Sequence, residues 1–537
     1  MPETRKWQVR WQSAQRSARV AARRAGRSAR TAARSAQRAA QATSNATWQT
    51  WQTAPRHTRQ TWQLTAVSAA TGLAVAVTAV AAAGPWDSGQ RTAERAVANP
   101  GPATGGEHHD DDRAPRPAPS APAVLTALGG PVRGSAGRGA APLPTDAGLA
   151  DALAPLLADP ALGSLRTASV VDVGAGRQVF GEKPDAPATP ASTVKLATAV
   201  AALSLRGAEH RIDTGVVLAG KNRIVLVGGG DPTLTARAAR PGPGERPANL
   251  RDLADATARA LKQRRLTTVG LGYDASAYTG PVLHPISPNE NIAPVTPLMV
   301  DEGRLDDSDH GPAPRSTDPA GDAARTFAGL LKERGITVDG DPAEARAPKK
   351  PDRIAVVRSL PLSALVERML THSDNDIAEA LARQAALGAH RPASFAGAAK
   401  AVHDALAAQH LPLAGAVFED GSGLNRADRV SANLLSHLLL LAAAPSKPEL
   451  RAVVTGLPVA AFTGTLSSRY VGDAAGAGTV RAKTGTLTGV NSLAGTVVDA
   501  DGRLLAFAFM TTGTTDPQSA QKALDHMAST VANCGCR

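Results

Sequence analysis

The sequence predicts an α+β fold: an antiparallel sheet flanked by helices, with an inserted α/β module, preceded by a transmembrane helix and a disordered linker. Three observations predict it. Residues 194–205 are apolar on nearly every side, with Ala filling most gaps, the pattern of a helix buried within a protein. Residues 491–499 and 503–511 flank the turn Ala500-Asp501-Gly502 and read as an antiparallel hairpin. Between these regions, residues 211–352 carry short strands and amphipathic helices, too long an excursion for a simple connection.

The chain has 537 residues and a formal net charge of +12. Residues 1–60 hold twelve Arg and Lys6 against Glu3 alone, and the rest of the chain balances. The body is therefore not a nucleic-acid binder by charge; the basic excess is an N-terminal arm, residues 1–62. Arg16, Arg19, Arg23, Arg27, Arg30, Arg34 and Arg38 recur every three or four residues, a stripe along one face if the arm is helical. A solvated basic tail and an interfacial helix on anionic lipid both fit it. Nothing physical accounts for the five Trp-Gln pairs that begin at Trp7, Trp11, Trp48, Trp51 and Trp62.

Residues 63–86 form the expected transmembrane signal-anchor. The stretch 64–84 has no charge, and at roughly 1.5 Å per residue it spans about 30 Å, a bilayer core. Trp62 and Trp86 bracket it, and the Arg-rich flank places the N-terminus in the cytoplasm and the later chain outside. Ala81-Ala82-Ala83 has the form of a signal-peptide cleavage site, but the long segment before it favours an uncleaved anchor. Residues 87–145 are rich in Pro, Gly, Ala and Ser and read as a disordered tether, with an end-to-end distance on the order of 45 Å. The run His108-His109-Asp110-Asp111-Asp112 lies within it, where no framework fixes metal ligands.

The folded body divides into a first catalytic part (146–210), the inserted module (211–352) and a second catalytic part (353–537). Strands are expected at 168–173 and 177–180, then at 214–218, 223–227 and 267–271; helices at 250–264 and 326–334 flank the last of these. Gly228-Gly229-Gly230-Asp231-Pro232 lacks the ending of a phosphate-binding loop and reads as a turn. Residues 281–315 form a Pro- and Asp-rich loop. Helices follow at 362–370 and 377–387, with Ser373 readable as an N-cap and Asp376 as part of a capping box. Asp420-Gly421-Ser422-Gly423-Leu424 is a turn, Ser431 caps a helix at 432–443, a strand at 479–483 ends at Thr484, and the last helix covers 516–532. The only cysteines, Cys534 and Cys536, would close a tight, strained ring, which disfavours a structural disulfide between them but leaves their pairing open.

Chemistry concentrates in three segments. Ser192 and Lys195 lie three apart and share a helix face. A buried hydroxyl beside a buried amine is costly unless the pair has a use, and nucleophile with base is that use. A second S-x-x-K, Ser519 to Lys522, falls on a polar-faced segment and reads as exposed helix surface. Only the first copy is followed by Ser373-Asp374-Asn375 and then Lys483-Thr484-Gly485-Thr486. S-x-x-K, S-D-N and K-T-G in that order are the active-site signature of penicillin-binding proteins and serine β-lactamases.

With Gly228–Leu234, Asp420–Leu424, Gly464-Thr465-Leu466 and Arg469 added, the chain from about 146 to 532 resembles the class C low-molecular-mass penicillin-binding proteins, D-alanyl-D-alanine carboxypeptidases and endopeptidases. The resemblance implies a transpeptidase/β-lactamase-like domain carrying an insertion. It also implies that Ser192 is the nucleophile, Lys195 its base and Ser373 a proton relay. Asn375 would hold the substrate amide or Lys195, and Lys483, Thr484, Gly485 and Thr486 would receive the substrate's terminal carboxylate. The N–H groups of Ser192 and Thr486 would make the oxyanion hole, and burial together with a charged Lys483 would hold Lys195 neutral. Implied partners are peptidoglycan stems ending in D-Ala-D-Ala and β-lactams; no cofactor or metal is required. The rivals are a β-lactamase and an inactive wall-binding protein. A Ser-His-Asp hydrolase, prompted by His372, lacks a G-x-S-x-G elbow.

Overall fold

The computed structural model describes residues 144–238, 245–286, 288–473 and 475–535. The basic arm, the membrane anchor, the His108–Asp112 run and nearly all of the tether lie outside the described residues. Among the described residues no helix is long and apolar enough to cross a membrane.

The catalytic body begins with α1 (Asp146–Leu157), whose first turn is capped by the Thr145 hydroxyl accepting from the Gly148 N–H. Its sheet combines β1 (Leu165–Asp172) and β2 (Arg177–Glu182) with three late strands, β9 (Arg481–Leu487), β10 (Val490–Val498) and β11 (Leu504–Thr512). The order is β2-β1-β11-β10-β9, antiparallel throughout. Side chains alternate across such a sheet, and here both faces are covered. Ala494, Ala506, Ala508 and Met510 face the core shared with α2 (Lys195–Arg206) and the later helices of the body. Leu493, Val497, Leu505, Phe507 and Phe509 face the opposite core with α1 and the last helix, Pro517–Ala532.

Every residue of α2 from Lys195 to Leu203 is buried, as its uninterrupted apolar character requires. Ser192 does not lie on the α-helix itself, which starts at Lys195: residues 191–194 form a 3-10 turn ahead of it. The second S-x-x-K is on the exposed surface of the last helix.

The inserted module has its own core, with Val216, Ile224, Leu226, Leu253, Leu261, Phe327 and Leu331 buried together. Its sheet runs β6-β5-β4-β3-β8, from β3 (Asp213–Leu218), β4 (Arg223–Val227), β5 (Thr268–Asp274), β6 (Thr337–Val338) and β8 (Asp352–Arg358); β7 (Ala343–Glu344) also pairs β5. Helices α3 (Leu250–Gln263) and α4 (Pro319–Glu333) pack on it. Because β8 pairs with β3, the module extends to Arg358, past the boundary drawn at 352. Helix α4 starts well before 326: Asp318 caps it and Pro319 supplies the fixed φ of a first helical residue. Its Ala- and Gly-rich first turns gave no periodicity to read.

Helices α5 (Leu362–His372), α6 (Asn375–Gly388), α7 (Phe395–Ala408), α8 (Ala432–Ala443) and α9 (Arg451–Thr455) complete the body before the last helix, α10. The sequence analysis did not identify α7, whose buried stripe is mostly Ala. The strand containing Lys483 does not end at Thr484; it continues through Leu487. Cys534 is disulfide-bonded, a pairing that the sequence had left open.

Candidate active site

Three segments form a closed triangle. The first corner is the turn before α2. Ala191 adopts φ +50°, a left-handed conformation that costs a non-glycine residue about 1–3 kcal/mol. The turn is held by Ser492 Oγ and Thr193 Oγ1, which donate to the Pro190 carbonyl at 2.6 and 2.7 Å. Half-buried Ser192 thus stands one turn ahead of Lys195, and the Lys195 Nζ to Ser192 Oγ distance is 3.0 Å.

The second corner is the α5–α6 junction. Ser373 is not an N-cap. Asp374 caps α6, its carboxylate accepting from the Ile377 N–H at 2.9 Å, while Ser373 ends α5 at φ +58° with its hydroxyl free for the site. Asp376 closes no capping box either; it is buried, accepts from the Ala293 N–H at 2.9 Å and lies 2.9 Å from Arg315. Asn375 Oδ1 accepts from Lys195 Nζ at 2.7 Å, and Asn375 Nδ2 donates to the Asn291 carbonyl at 3.0 Å, so the amide is fixed at both ends.

The third corner is β9, the edge strand. Lys483 Nζ donates to Ser373 Oγ at 2.8 Å and to the Thr484 carbonyl at 2.7 Å. The Thr484 hydroxyl shares a hydrogen bond with Thr465 at 2.9 Å, and exposed Thr486 accepts from Gln521 Nε2 at 3.3 Å. Gly485 closes the triangle. A Cβ there would lie 2.6 Å from the Pro190 carbonyl oxygen and 2.2 Å from Ser492 Oγ, so only glycine lets the strand lie this close to the Ser192 turn.

A further wall, residues 420–424, was read in the sequence as a turn and as a stretch of the family, with no role assigned to it. The Ser422 carbonyl accepts from Lys195 Nζ at 2.6 Å. Its loop is shaped by two buried carboxylates: Asp420 accepts from the N–H groups of Ser422, Gly423 and Asn425, and Glu379 from those of Gly421 and Ser422. No sequence signal marks a backbone carbonyl as functional. Gln521 and Asn291 were missed because each reaches the site from a helix or loop distant in sequence, and Thr465 was noted only as part of a family stretch.

Lys195 and Lys483 are both fully buried. Burial pulls Lys195 down to about 8, against the opposing pull of Asp420, Asp374, Glu379 and Asp428. Lys483 is pushed well below the usual amine range, first by burial and then by the charge of Lys195. Burial thus depresses both amines, and the charge effect runs from Lys195 onto Lys483, the reverse of the expected direction.

Two buried groups of acids and histidine could suggest a metal, His284 with Glu379 and Asp420, and Glu302 with Asp374 and Asp376. Neither suits a cation. In the first, the carboxylates already receive backbone N–H donors and Glu379 pairs with Arg383 at 3.3 Å; in the second, Arg304, Arg315 and Arg368 supply the positive charge. His372, the proposed member of a hydrolase triad, turns toward His310, with ring centroids 4.4 Å apart.

Known proteins resemble this chain in sequence and in fold. The family described as D-Ala-D-Ala carboxypeptidase 3 (S13) matches residues 149–310 and 308–533. A carboxypeptidase of Mycobacterium tuberculosis is 37% identical over 447 residues, 80% of this chain and 92% of the relative. Carboxypeptidase DacB of Mycolicibacterium smegmatis is 36% identical over 442 residues, with the same coverage of 80% and 92%. Among solved structures, penicillin binding protein 4 of Haemophilus influenzae aligns with a TM-score of 0.58 at 22% identity, covering 71% of this chain and 97% of that one. That likeness identifies the transpeptidase/β-lactamase-like α+β fold.

Proposed function

The chain belongs to the D-Ala-D-Ala carboxypeptidase 3 (S13) family, the class C low-molecular-mass penicillin-binding proteins, and on that premise we propose how its residues perform the carboxypeptidase reaction. It is a serine D-alanyl-D-alanine carboxypeptidase acting on peptidoglycan peptide stems. The observation that carries the assignment of roles is the set of partners around one atom. Lys195 Nζ meets Asn375 Oδ1, the Ser422 carbonyl and Ser192 Oγ. A neutral amine has two N–H bonds and one lone pair. With the two acceptors taking the N–H bonds, the lone pair faces the Ser192 hydroxyl proton.

Ser192 Oγ attacks the carbonyl carbon of the penultimate D-Ala as its proton passes to Lys195. The tetrahedral intermediate collapses with cleavage of the C–N bond, and the terminal D-Ala leaves as its amine after taking a proton through Ser373. Water then attacks the ester, regenerating Ser192 and releasing the shortened stem. The N–H groups of Ser192 and Thr486 stabilise the oxyanion. Lys483, Thr484 and Thr486 receive the terminal carboxylate along the edge of β9, with Gly485 allowing the close approach.

The lysine pair assigns that carboxylate a second task. In the empty site, four carboxylates draw positive charge toward Lys195, while burial and the charge of Lys195 both disfavour a proton on Lys483. A carboxylate arriving beside Lys483 supplies the counter-charge that pocket lacks and draws the proton there, freeing the Lys195 lone pair. β-Lactams acylate Ser192 as mimics of the substrate. The same site would accept a cross-linked stem, which is endopeptidase action.

Residues 63–86 anchor the protein, with the N-terminus cytoplasmic and the catalytic body extracytoplasmic on the tether; the charge-free run and its Arg-rich flank support this reading. Protease accessibility in intact cells and spheroplasts checks it, and a body shielded in both would refute it. The catalytic assignment is tested by fluorescent-penicillin labelling with peptide mapping. Wild type is expected to carry the label on Ser192 and Ser192→Ala none; label on another residue overturns the mechanism.

A further inference from the structure

A loop of the inserted module, residues 275–318, reaches the catalytic body and grips two of its motifs. At the first grip, the Asn291 carbonyl, the Ala293 N–H and Arg315 hold Asn375 and Asp376. At the second, His284 holds the Asp420–Leu424 loop. We propose that His284 is a positioning residue for Lys195, acting through Asp420 and the Ser422 carbonyl; this rests on the acyl-enzyme mechanism given above.

The hydrogen-bond chain is directional. His284 Nδ1 accepts from the Ile286 N–H at 3.2 Å, so the ring hydrogen is on Nε2 and donates to Asp420 Oδ2 at 2.8 Å. Both side chains are essentially excluded from solvent, at 1% and 0% exposure. Asp420 Oδ1 then takes the Ser422 and Gly423 N–H groups at 3.0 and 2.6 Å, and Oδ2 also takes the Asn425 N–H at 2.7 Å. That arrangement directs the Ser422 carbonyl at Lys195 Nζ, 2.6 Å away. The imidazole is set edge-on against Phe395, with centroids 5.4 Å apart, so its orientation is fixed by packing as well.

The Ser422 carbonyl is one of the two acceptors that turn the Lys195 lone pair toward Ser192. A loop that shifts redirects that lone pair without altering the groove that receives the ligand. The module therefore supplies part of the base's support and is more than an appendage that binds.

The test compares two variants of the full-length protein. His284→Phe keeps the ring shape and removes the donor; His284→Gln keeps an N–H near the position of Nε2. Acylation by fluorescent penicillin is resolved into the acylation rate constant and the non-covalent dissociation constant, and thermal melting reports folding. His284→Phe is expected to lower the acylation rate constant by about 10–100-fold, leave the dissociation constant within about threefold, and be rescued by Gln to near the wild-type rate. If Phe is not accommodated, His284→Ala carries the same comparison. The proposal is overturned if the donor-less variant acylates at the wild-type rate, or if Gln fails to rescue while melting as stably as wild type. An equal drop in both constants, tracking the loss in melting temperature, also overturns it. Absence of acylation in wild type would instead overturn the acyl-enzyme mechanism itself.

Discussion

Lys195 and Lys483 are both wholly inside the protein, yet the pockets that hold them are built differently. The Lys195 pocket lies between helices and a carboxylate-pinned loop, and Asp420, Asp374, Glu379 and Asp428 all draw positive charge toward it. The Lys483 pocket lies on a strand edge; its nitrogen touches a hydroxyl and a carbonyl, and the charge acting on it is that of Lys195. One pocket is supplied with counter-charge by the protein, and the other awaits it from a ligand. A site arranged this way couples recognition of a carboxylate to activation of the nucleophile, because the same proton serves both.

The sharpest way to break the comparison is to remove the helix lysine. Lys195→Ala should lower the second-order acylation constant for penicillin by about 10²–10⁴-fold, the range for loss of a general base; a drop under about tenfold would show that another group takes the Ser192 proton. Lys483→Ala should cost less, about 10–100-fold, the worth of a hydrogen bond to a charged group. In that variant Lys195 must lose its own proton, so the residual rate should rise with pH through about 8. Wild type should do the opposite. Its active form keeps one proton on the pair, so the acylation constant should fall about tenfold per pH unit above about 8 as that last proton leaves. Stopped-flow acylation between pH 6 and 10 measures both limbs, and limbs of the same sign in the two proteins would refute the shared proton.

Much of the catalytic body was legible in the sequence because its parts announce themselves locally. The α2 helix is apolar on all faces, the late hairpin alternates with period two, and Ser192, Lys195, Ser373, Asn375 and the Lys483–Thr486 segment stand in recognisable order. The structure brings these residues to one place. What escaped was carried by features without a local signature. Helix α7 buries mainly Ala, whose hydropathy contrast is too slight to show a stripe. Asp374, rather than Ser373, caps α6 because the chain passes through a left-handed residue first, and S-D-N alone does not reveal that. The charge environment of Lys195 depends on Asp374, Glu379, Asp420 and Asp428, which are far from it in sequence and near it only in three dimensions. The Ser422 carbonyl and its supporter His284 lie 227 and 136 positions from the residues they bond.

Gly485 carries a consequence for how the cleft can open. Its strand backbone rests directly on Pro190 and Ala191, with no room for a methyl group between them. The nucleophile and the carboxylate-binding edge must then travel as a single stationary jaw, and any breathing that admits a bulky stem has to come from the opposite jaw, where the insert's loop meets Asn375.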